Sequence, residues 1–105
     1  MEKKHKNTIN KYQDLHEIRK DIDAIDEKII HLIGDRIQIT NAAYQFKSSE
    51  NDVRAVHRQQ KVLDKIKKES EEHNINSDII IKIYKSLINY CVNNQMETWK
   101  KHGKN

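Results

Sequence analysis

One feature limits the fold of this chain more than any other: an apolar stripe too long for a small domain to cover. Its members follow one another in alternating steps of three and four residues, at Leu15, Ile18, Ile22, Ile25, Ile29 and Leu32. This spacing is typical of an amphipathic helix with a coiled-coil-like seam. Apolar residues continue the pattern to Phe46, so we expect a first helix over about residues 11–46.

The length of this helix predicts a homodimer. It would extend for roughly 54 Å at 1.5 Å per residue. A globule of 105 residues has a radius of gyration of only about 13 Å. The rest of the chain can therefore cover only part of the stripe, and the remainder is expected to pack on a second copy.

The composition favours an all-α fold. Proline is absent, and Gly34 and Gly103 are the two glycines, so the residues that usually break helices are scarce. Hydrophobic residues make up 35% of the chain and charged residues 34%. This balance fits long, narrow helices that bury one stripe better than it fits a compact globule.

Two shorter helices are expected after the first, over about residues 57–73 and 78–101. The segment "KSSENDVRAV" reads as the first connecting loop, because its serines suit turns and caps. In the second connection, "EEHNINSD", Ser77 or Asn76 is a plausible N-cap.

The ends of the chain and its cysteine usage suggest a cytoplasmic protein. Residues 1–10 are polar and aperiodic, so we expect a frayed terminus followed by one helical domain over residues 11–105. No secretory signal follows "MEKKHKN", and no apolar run approaches the roughly 20 residues that span a bilayer. The single cysteine, Cys91, fits a reducing compartment and is best interpreted as a core residue. The net charge of +4 permits an anionic partner without identifying it.

Polar side chains interrupt both long seams. The next step of four along the first seam falls on Arg36, and Lys47 follows about three turns later on the same face. On the last helix, Gln95 continues the seam of Ile88 and Cys91. These side chains could reach solvent or pair with carboxylates on neighbouring helices. However, the carboxylates mostly occupy the solvated face, and a bound anion would compensate buried cations that are otherwise costly.

Helix geometry suggests a site shared between two chains. Arg19 flanks the first seam and would lie about 25 Å from Arg36 along one helix. The two guanidinium groups of one chain therefore cannot hold one small molecule. An antiparallel pairing of two first helices would instead bring Arg19 of one chain to Arg36 and Lys47 of the other, in two equivalent pockets.

Three segments resemble one known family. They are "LHEIRKDIDAIDEKIIHLIGDRIQITNAAYQFK", "HRQQKVL" and "NNQMETW", and the similarity covers about residues 14–100. They resemble the all-helical (type II) chorismate mutases, and among these most closely the isochorismate pyruvate lyases. The resemblance implies a three-helix protomer, with the long first helix intertwined in a homodimer, and it implies no cofactor and no metal.

The resemblance also implies roles for individual residues. In such enzymes the arginine of "EIR", here Arg19, reaches the partner's pocket, and the arginine of "GDR", here Arg36, binds a substrate carboxylate. The lysine of "QFK", here Lys47, contacts the ether oxygen and a carboxylate. Arg58 corresponds to the arginine that opens the second helix, and Gln95 to the amide of the third.

Two features favour the lyase over the mutase. The "FK" pair with its short following loop is lyase-like, although the loop lacks the proline that lyases typically have. After the arginine of the second helix, mutases commonly carry a glutamate that holds the substrate hydroxyl, whereas this chain has Gln59. The resemblance therefore implies conversion of isochorismate to salicylate and pyruvate, as in siderophore pathways, with weak mutase activity. Conversion of chorismate to prephenate is the alternative.

Two non-enzymatic classes fit less well. Lysine clusters such as "KIKK" and "WKKHGK" suggest a nucleic-acid-binding module weakly, and they give no reason for Gln95 in a seam. In a purely structural coiled coil, the polar seam residues would only lower the stability.

Both reactions of the family are pericyclic and need no metal and no nucleophile. This suits a chain in which the histidines lack metal-ligand spacing and no Ser-His-Asp pattern is present.

Overall fold

The computed structural model of the protein describes residues 11–103 and shows helices with no strand in that range. Four α-helices follow one another: α1 (Leu15–Ala42), α2 (Glu50–Arg54), α3 (Val56–Glu72) and α4 (Ser77–Thr98). A 3₁₀ segment, Ala43–Phe46, extends α1, and a π-helical turn, Trp99–Gly103, extends α4. The prediction of an all-α fold with three main helices is confirmed. The predicted fraying of residues 1–10 concerns a segment outside the described residues.

α1 begins at Leu15 because the residues before it cap the helix. The Asp14 carboxylate accepts a hydrogen bond from the Glu17 amide at 2.9 Å, and the Glu17 carboxylate accepts one from the Gln13 amide at 3.2 Å. This reciprocal arrangement resembles a capping box and satisfies two amides that the helix itself leaves without partners. The predicted start near residue 11 was therefore a few residues too early.

The segment after Phe46 is more regular than predicted. Instead of an open loop over "KSSENDVRAV", it contains the short helix α2. The Ser49 hydroxyl caps this helix by accepting a hydrogen bond from the Asp52 amide at 3.0 Å. Ala55 then ends it in the left-handed region, with φ 43°. A helix of five residues lies below the length that periodicity can detect, which is why the sequence pattern missed it.

The turn between α3 and α4 is built from local hydrogen bonds. Asn74 adopts φ 59°, and the amide of Ile75 donates to the Ser70 carbonyl at 2.9 Å. This pattern is a Schellman motif, in which asparagine tolerates the left-handed position. Asn76 caps α4 by accepting from the Asp78 amide at 2.9 Å. Of the two predicted N-caps, Asn76 is therefore the one used.

The chain divides into two compact units, with the boundary between Arg36 and Ile37 inside α1. In the second unit, α2 and α3 pack on α4, and the 3₁₀ segment and the π-helical turn contact each other. The buried apolar residues of the described chain all lie there: Val53, Ile88, Cys91 and Trp99. The prediction that Cys91 packs in the core is confirmed, with 2% of its surface exposed.

The first unit, taken by itself, is one helix with a short leading segment. The Tyr12 hydroxyl donates to the Asp21 carboxylate at 2.6 Å, which raises the pKa of the Tyr12 phenol. No residue of α1 is buried. A single helix has no second element within its own unit against which its apolar stripe could pack.

Candidate functional site

Lys47 lies where the 3₁₀ segment ends and the chain turns toward α2. Its backbone is extended, with φ −98° and ψ 137°, and its amide donates to the Tyr44 carbonyl at 3.2 Å. Its own carbonyl accepts a hydrogen bond from the indole nitrogen Nε1 of Trp99 at 3.0 Å. Lys47 is half-buried, and its ammonium makes no ion pair with a carboxylate of residues 11–103. The backbone under the predicted catalytic cation is therefore held on both sides.

Gln95 is the most deeply buried polar residue of the described chain, with 4% of its surface exposed. Its amide nitrogen donates to the Thr40 carbonyl at 2.9 Å. Its amide oxygen is buried and has no hydrogen-bond partner among residues 11–103. Since a side-chain amide offers two N–H donors and one oxygen acceptor, the bond to Thr40 uses one N–H and leaves the oxygen without a partner. A buried polar oxygen without a partner is costly, and it marks this position as unusual for a core residue.

The two predicted catalytic residues are connected through one face of α4. Gln95 lies on that face, and Lys47 is bound by Trp99, which follows on the same face. Gln95 and Trp99 are one turn apart, so their side chains project from the same side. The first binds the backbone at Thr40 and the second binds it at Lys47. The structure thus brings the backbone of Lys47 and the side chain of Gln95 to the same part of the second unit.

The residues after Lys47 are held by a carboxylate. The Asp52 carboxylate accepts hydrogen bonds from the Ser48 hydroxyl at 2.6 Å and from the Ser48 amide at 2.9 Å. These bonds, with a smaller contribution from the Lys47 charge, lower the pKa of Asp52. Next to it, Val53 is buried with 2% exposure and fastens α2 to the core. The connection between Lys47 and α3 is therefore structured on its own.

Arg58 and Gln59 occupy the first turn of α3, as predicted for the opening of the second main helix. Arg58 is exposed, whereas Gln59 is half-buried and donates its side-chain amide to the Arg54 carbonyl at the end of α2. Gln59 also lines an open groove of about 360 Å³ with Leu63 and Ile88. A carboxylate at this position could not make the bond to Arg54, since it has no N–H to donate.

Arg19 and Arg36 belong to the first unit. Arg19 is exposed, and Arg36 is half-buried. Their part in a site with Lys47 stays a prediction, and so do the ligand roles of Arg58, Gln59 and Gln95. Among residues 11–103, no three histidine, cysteine or acidic side chains converge as metal ligands would. Within the same range, no helix is long and apolar enough to span a bilayer.

The sequence reasoning missed two parts of this site. They are the hydrogen bond from Trp99 to Lys47 and the one from Gln95 to Thr40. The spacing of four residues between Gln95 and Trp99 was visible and indicates a shared face. Which carbonyl Gln95 or Trp99 binds depends on how α4 packs against the rest of the unit. The spacing of residues in the sequence does not reveal this packing.

The comparisons with known proteins agree with the resemblance at the level of the family. Residues 18–96 match the family model described as chorismate mutase type II. A chorismate mutase of Methanocaldococcus jannaschii is 36% identical over 77 residues, which cover 72% of this chain and 78% of that protein. An isochorismate pyruvate lyase of Pseudomonas aeruginosa is 28% identical over 86 residues, covering 82% and 85%. A bifunctional chorismate mutase/prephenate dehydratase of Aquifex aeolicus is 27% identical over 84 residues, covering 76% of this chain and 23% of that protein.

Proposed function

The chain belongs to the chorismate mutase type II family, and from this premise we propose that it acts as an isochorismate pyruvate lyase. The observation that carries the proposal is the double attachment of the backbone to α4. Gln95 binds it at Thr40, and Trp99 binds it at Lys47. This attachment supports a site in which the Lys47 ammonium and the Gln95 amide would both meet a small anionic ether. The similarity to the Pseudomonas aeruginosa lyase, which extends over 82% of the chain, supports the choice of reaction.

The proposed reaction needs no nucleophile. In isochorismate, the C–O bond to the enol-pyruvyl group breaks while a ring hydrogen moves to the methylene carbon of that group. Pyruvate leaves, and the ring becomes the aromatic ring of salicylate. Negative charge develops on the ether oxygen as the bond breaks. Lys47 and the remaining N–H of Gln95 would donate to that oxygen, where their effect is largest in the transition state.

The remaining cations would bind the two carboxylates of the substrate. We assign this role to Arg36 and Arg58 of one chain and Arg19 of the partner chain, with Gln59 near the ring hydroxyl. Holding the substrate in a compact reactive conformation can lower the barrier by roughly 7–11 kcal/mol at best. One preorganised donor to the developing oxyanion contributes about 3–4 kcal/mol.

This assignment requires a homodimer, and the first unit supports one. Ile22, Ile25 and Ile29 of its stripe are 50%, 55% and 47% exposed. Fully burying one isoleucine is worth about 1.5–3 kcal/mol, so a second copy that covers the stripe would gain substantially. The same pairing would bring Arg19 of one chain to the pocket of the other.

A direct assay tests the reaction. The purified protein is incubated with isochorismate and, separately, with chorismate, and the products are identified by liquid chromatography and mass spectrometry. We expect salicylate and pyruvate in equal amounts from isochorismate, and slow formation of prephenate from chorismate. Absence of turnover with both substrates would refute the proposed function.

Chorismate mutase is the second candidate, because the Methanocaldococcus jannaschii relative is 36% identical. A higher kcat/KM for chorismate than for isochorismate would establish this alternative. Gln59→Glu sharpens the choice. It removes the donor to the Arg54 carbonyl and installs the glutamate that the mutases commonly have. Under the lyase assignment, the variant should lose salicylate formation and gain prephenate formation relative to the parent.

Mixing two strongly impaired variants tests the shared site. Arg19→Ala and Lys47→Ala homodimers should each retain only a small fraction of the parent's activity. After subunit exchange, a heterodimer contains one pocket with both defects and one with neither, so part of the activity should return. If exchange is verified by mass spectrometry and no activity returns, the two residues do not serve one pocket from two chains.

A further inference from the structure

Trp99 makes a contact that packing alone does not require. Its ring is buried, with 7% of the residue exposed, and its indole N–H donates to the Lys47 carbonyl at 3.0 Å. The indole nitrogen is a donor only, and a buried one needs an acceptor. The acceptor here is the main chain of the residue to which the proposed function gives the largest catalytic role.

The hydrogen bond completes the immobilisation of the Lys47 backbone. The amide of Lys47 already donates to the Tyr44 carbonyl at 3.2 Å. On the other side, the amide of Ser48 donates to the Asp52 carboxylate at 2.9 Å. With its own carbonyl bound by Trp99, Lys47 has both of its main-chain polar groups occupied. The direction of its Cα–Cβ bond is thereby set, which limits the region that the flexible side chain can reach.

A second contact comes from the same turn of the chain. Trp99 opens the π-helical turn that ends α4, and a π-helical turn often marks a functional position. In this turn the His102 ring lies 6.4 Å from the Tyr44 ring, centroid to centroid, at an interplanar angle of 53°. Tyr44 is the residue whose carbonyl accepts the Lys47 amide. The π-helical turn therefore contacts the 3₁₀ segment at Tyr44 and binds the residue that follows the segment, Lys47.

We infer that Trp99 is a positioning residue for catalysis: its indole N–H orients Lys47 toward the substrate by fixing the Lys47 carbonyl. The inference rests on the proposed function, in which the Lys47 ammonium meets the breaking ether bond. Trp99 does not touch the substrate in this account. It acts through Lys47, and its loss should lower kcat more than it raises KM, because the misplaced ammonium matters most in the transition state.

Two substitutions separate the donor from the ring. Trp99→Phe keeps an aromatic side chain and removes the N–H. Because Trp99 is the only tryptophan of the 105 residues, biosynthetic replacement of tryptophan by 3-benzothienylalanine alters this site alone. That analogue keeps the bicyclic shape and has sulfur in place of the N–H, so it serves even if Trp99→Phe does not fold. Ser70→Ala is the matched control. It also removes a hydrogen bond from a buried side chain to a carbonyl, the one from the Ser70 hydroxyl to Ile66 at 2.7 Å.

The decisive measurement is a double-mutant cycle with Lys47→Ala. In the parent, loss of the indole N–H should reduce kcat by about tenfold to a hundredfold, the scale of a misplaced catalytic group, with KM changed less than about threefold. Ser70→Ala should leave kcat within about twofold of the parent. In the Lys47→Ala background, loss of the indole N–H should have almost no further effect, because two residues that act as one unit are not additive.

Equal losses in both backgrounds, or an unchanged kcat in the parent background, would overturn the inference and leave Trp99 as a core residue. Failure of the proposed function is seen separately, as full activity in Lys47→Ala or as no turnover by the parent. Nuclear magnetic resonance gives a reading that needs no turnover. In the parent, the indole proton should exchange slowly with solvent, and the carbonyl carbon of Lys47 should shift when the benzothienyl analogue replaces Trp99. A fast-exchanging indole proton or an unshifted carbonyl would also overturn the inference.

Discussion

The two units of the chain obtain their stability in different ways. The second unit contains all the buried residues of the described chain, including the polar side chains of Ser70 and Gln95. The first unit is a helix that buries nothing, although isoleucine and leucine line its stripe. A sequence rich in isoleucine therefore does not by itself produce a core. The second unit buries its side chains within one chain, whereas no residue of α1 is buried within one chain.

The largest expected effect comes from a charge placed in the stripe of the first unit. Ile25→Asp should dissociate the proposed dimer, because an unpaired charge in an apolar contact costs roughly 3–5 kcal/mol and symmetry introduces two of them. Sedimentation equilibrium should show a monomer. Lys20→Asp, on the opposite side of α1, is the control and should remain dimeric. If Ile25→Asp dimerised with unchanged affinity, the stripe would not be an interface. The contrast drawn between the two units would then fail.

Removal of the cation in the second unit should have the next largest effect. Lys47→Ala should reduce kcat/KM for isochorismate by about 10²–10³, the effect of one lost donor to a developing oxyanion. Circular dichroism should show unchanged helicity, since Lys47 is held through its backbone. Lys68→Ala, which removes an exposed lysine of α3, should leave activity unchanged. Near-normal turnover by Lys47→Ala would remove the catalytic role from this residue.

Gln95→Glu should make activity depend on pH. Only the protonated carboxyl can donate to the Thr40 carbonyl, to which Gln95 now donates, and burial raises the pKa of such a carboxyl. At neutral pH the charged form should cost roughly 1–3 kcal/mol, a tenfold to hundredfold loss of kcat that reverses as the pH falls. The exposed Gln38→Glu should keep the profile of the parent. A loss in Gln95→Glu that is the same at every pH would contradict the role of the N–H donor.

The smallest effect is expected at Asp52, which is exposed. The hydrogen bond from the Ser48 hydroxyl lowers its pKa in the folded state, so the charged carboxylate stabilises the segment after Lys47. This contribution is present above the unfolded pKa and is lost as the pH falls through the folded pKa. Hydrogen exchange at the Ser48 amide, corrected for its intrinsic rate, should therefore accelerate in acid. Asp52→Asn should abolish that pH dependence, whereas Asp64→Asn on α3 should preserve it. A parent whose exchange does not change in acid would show that Asp52 does not hold this segment.

The helices were predictable because their signals are local. The periodicity of the stripe, the Asn76 cap and the absence of proline each concern residues a few positions apart, and the all-α fold follows from them. The errors occurred where a short local feature overrode the pattern. The Asp14 cap moved the start of α1, and Ser49 and Ala55 enclosed a helix too short to show periodicity.

By itself, the sequence determined the helices, the apolar stripe that one chain cannot bury within its first unit, and the anomaly of polar residues in apolar positions. The tertiary structure decided what those polar residues bind. The hydrogen bonds from Gln95 to Thr40 and from Trp99 to Lys47 join residues 55 and 52 positions apart. The physical reason is the range of the interactions. Helix periodicity arises from neighbours three and four residues apart, whereas the partner of a buried donor is set by the packing of one helix on another.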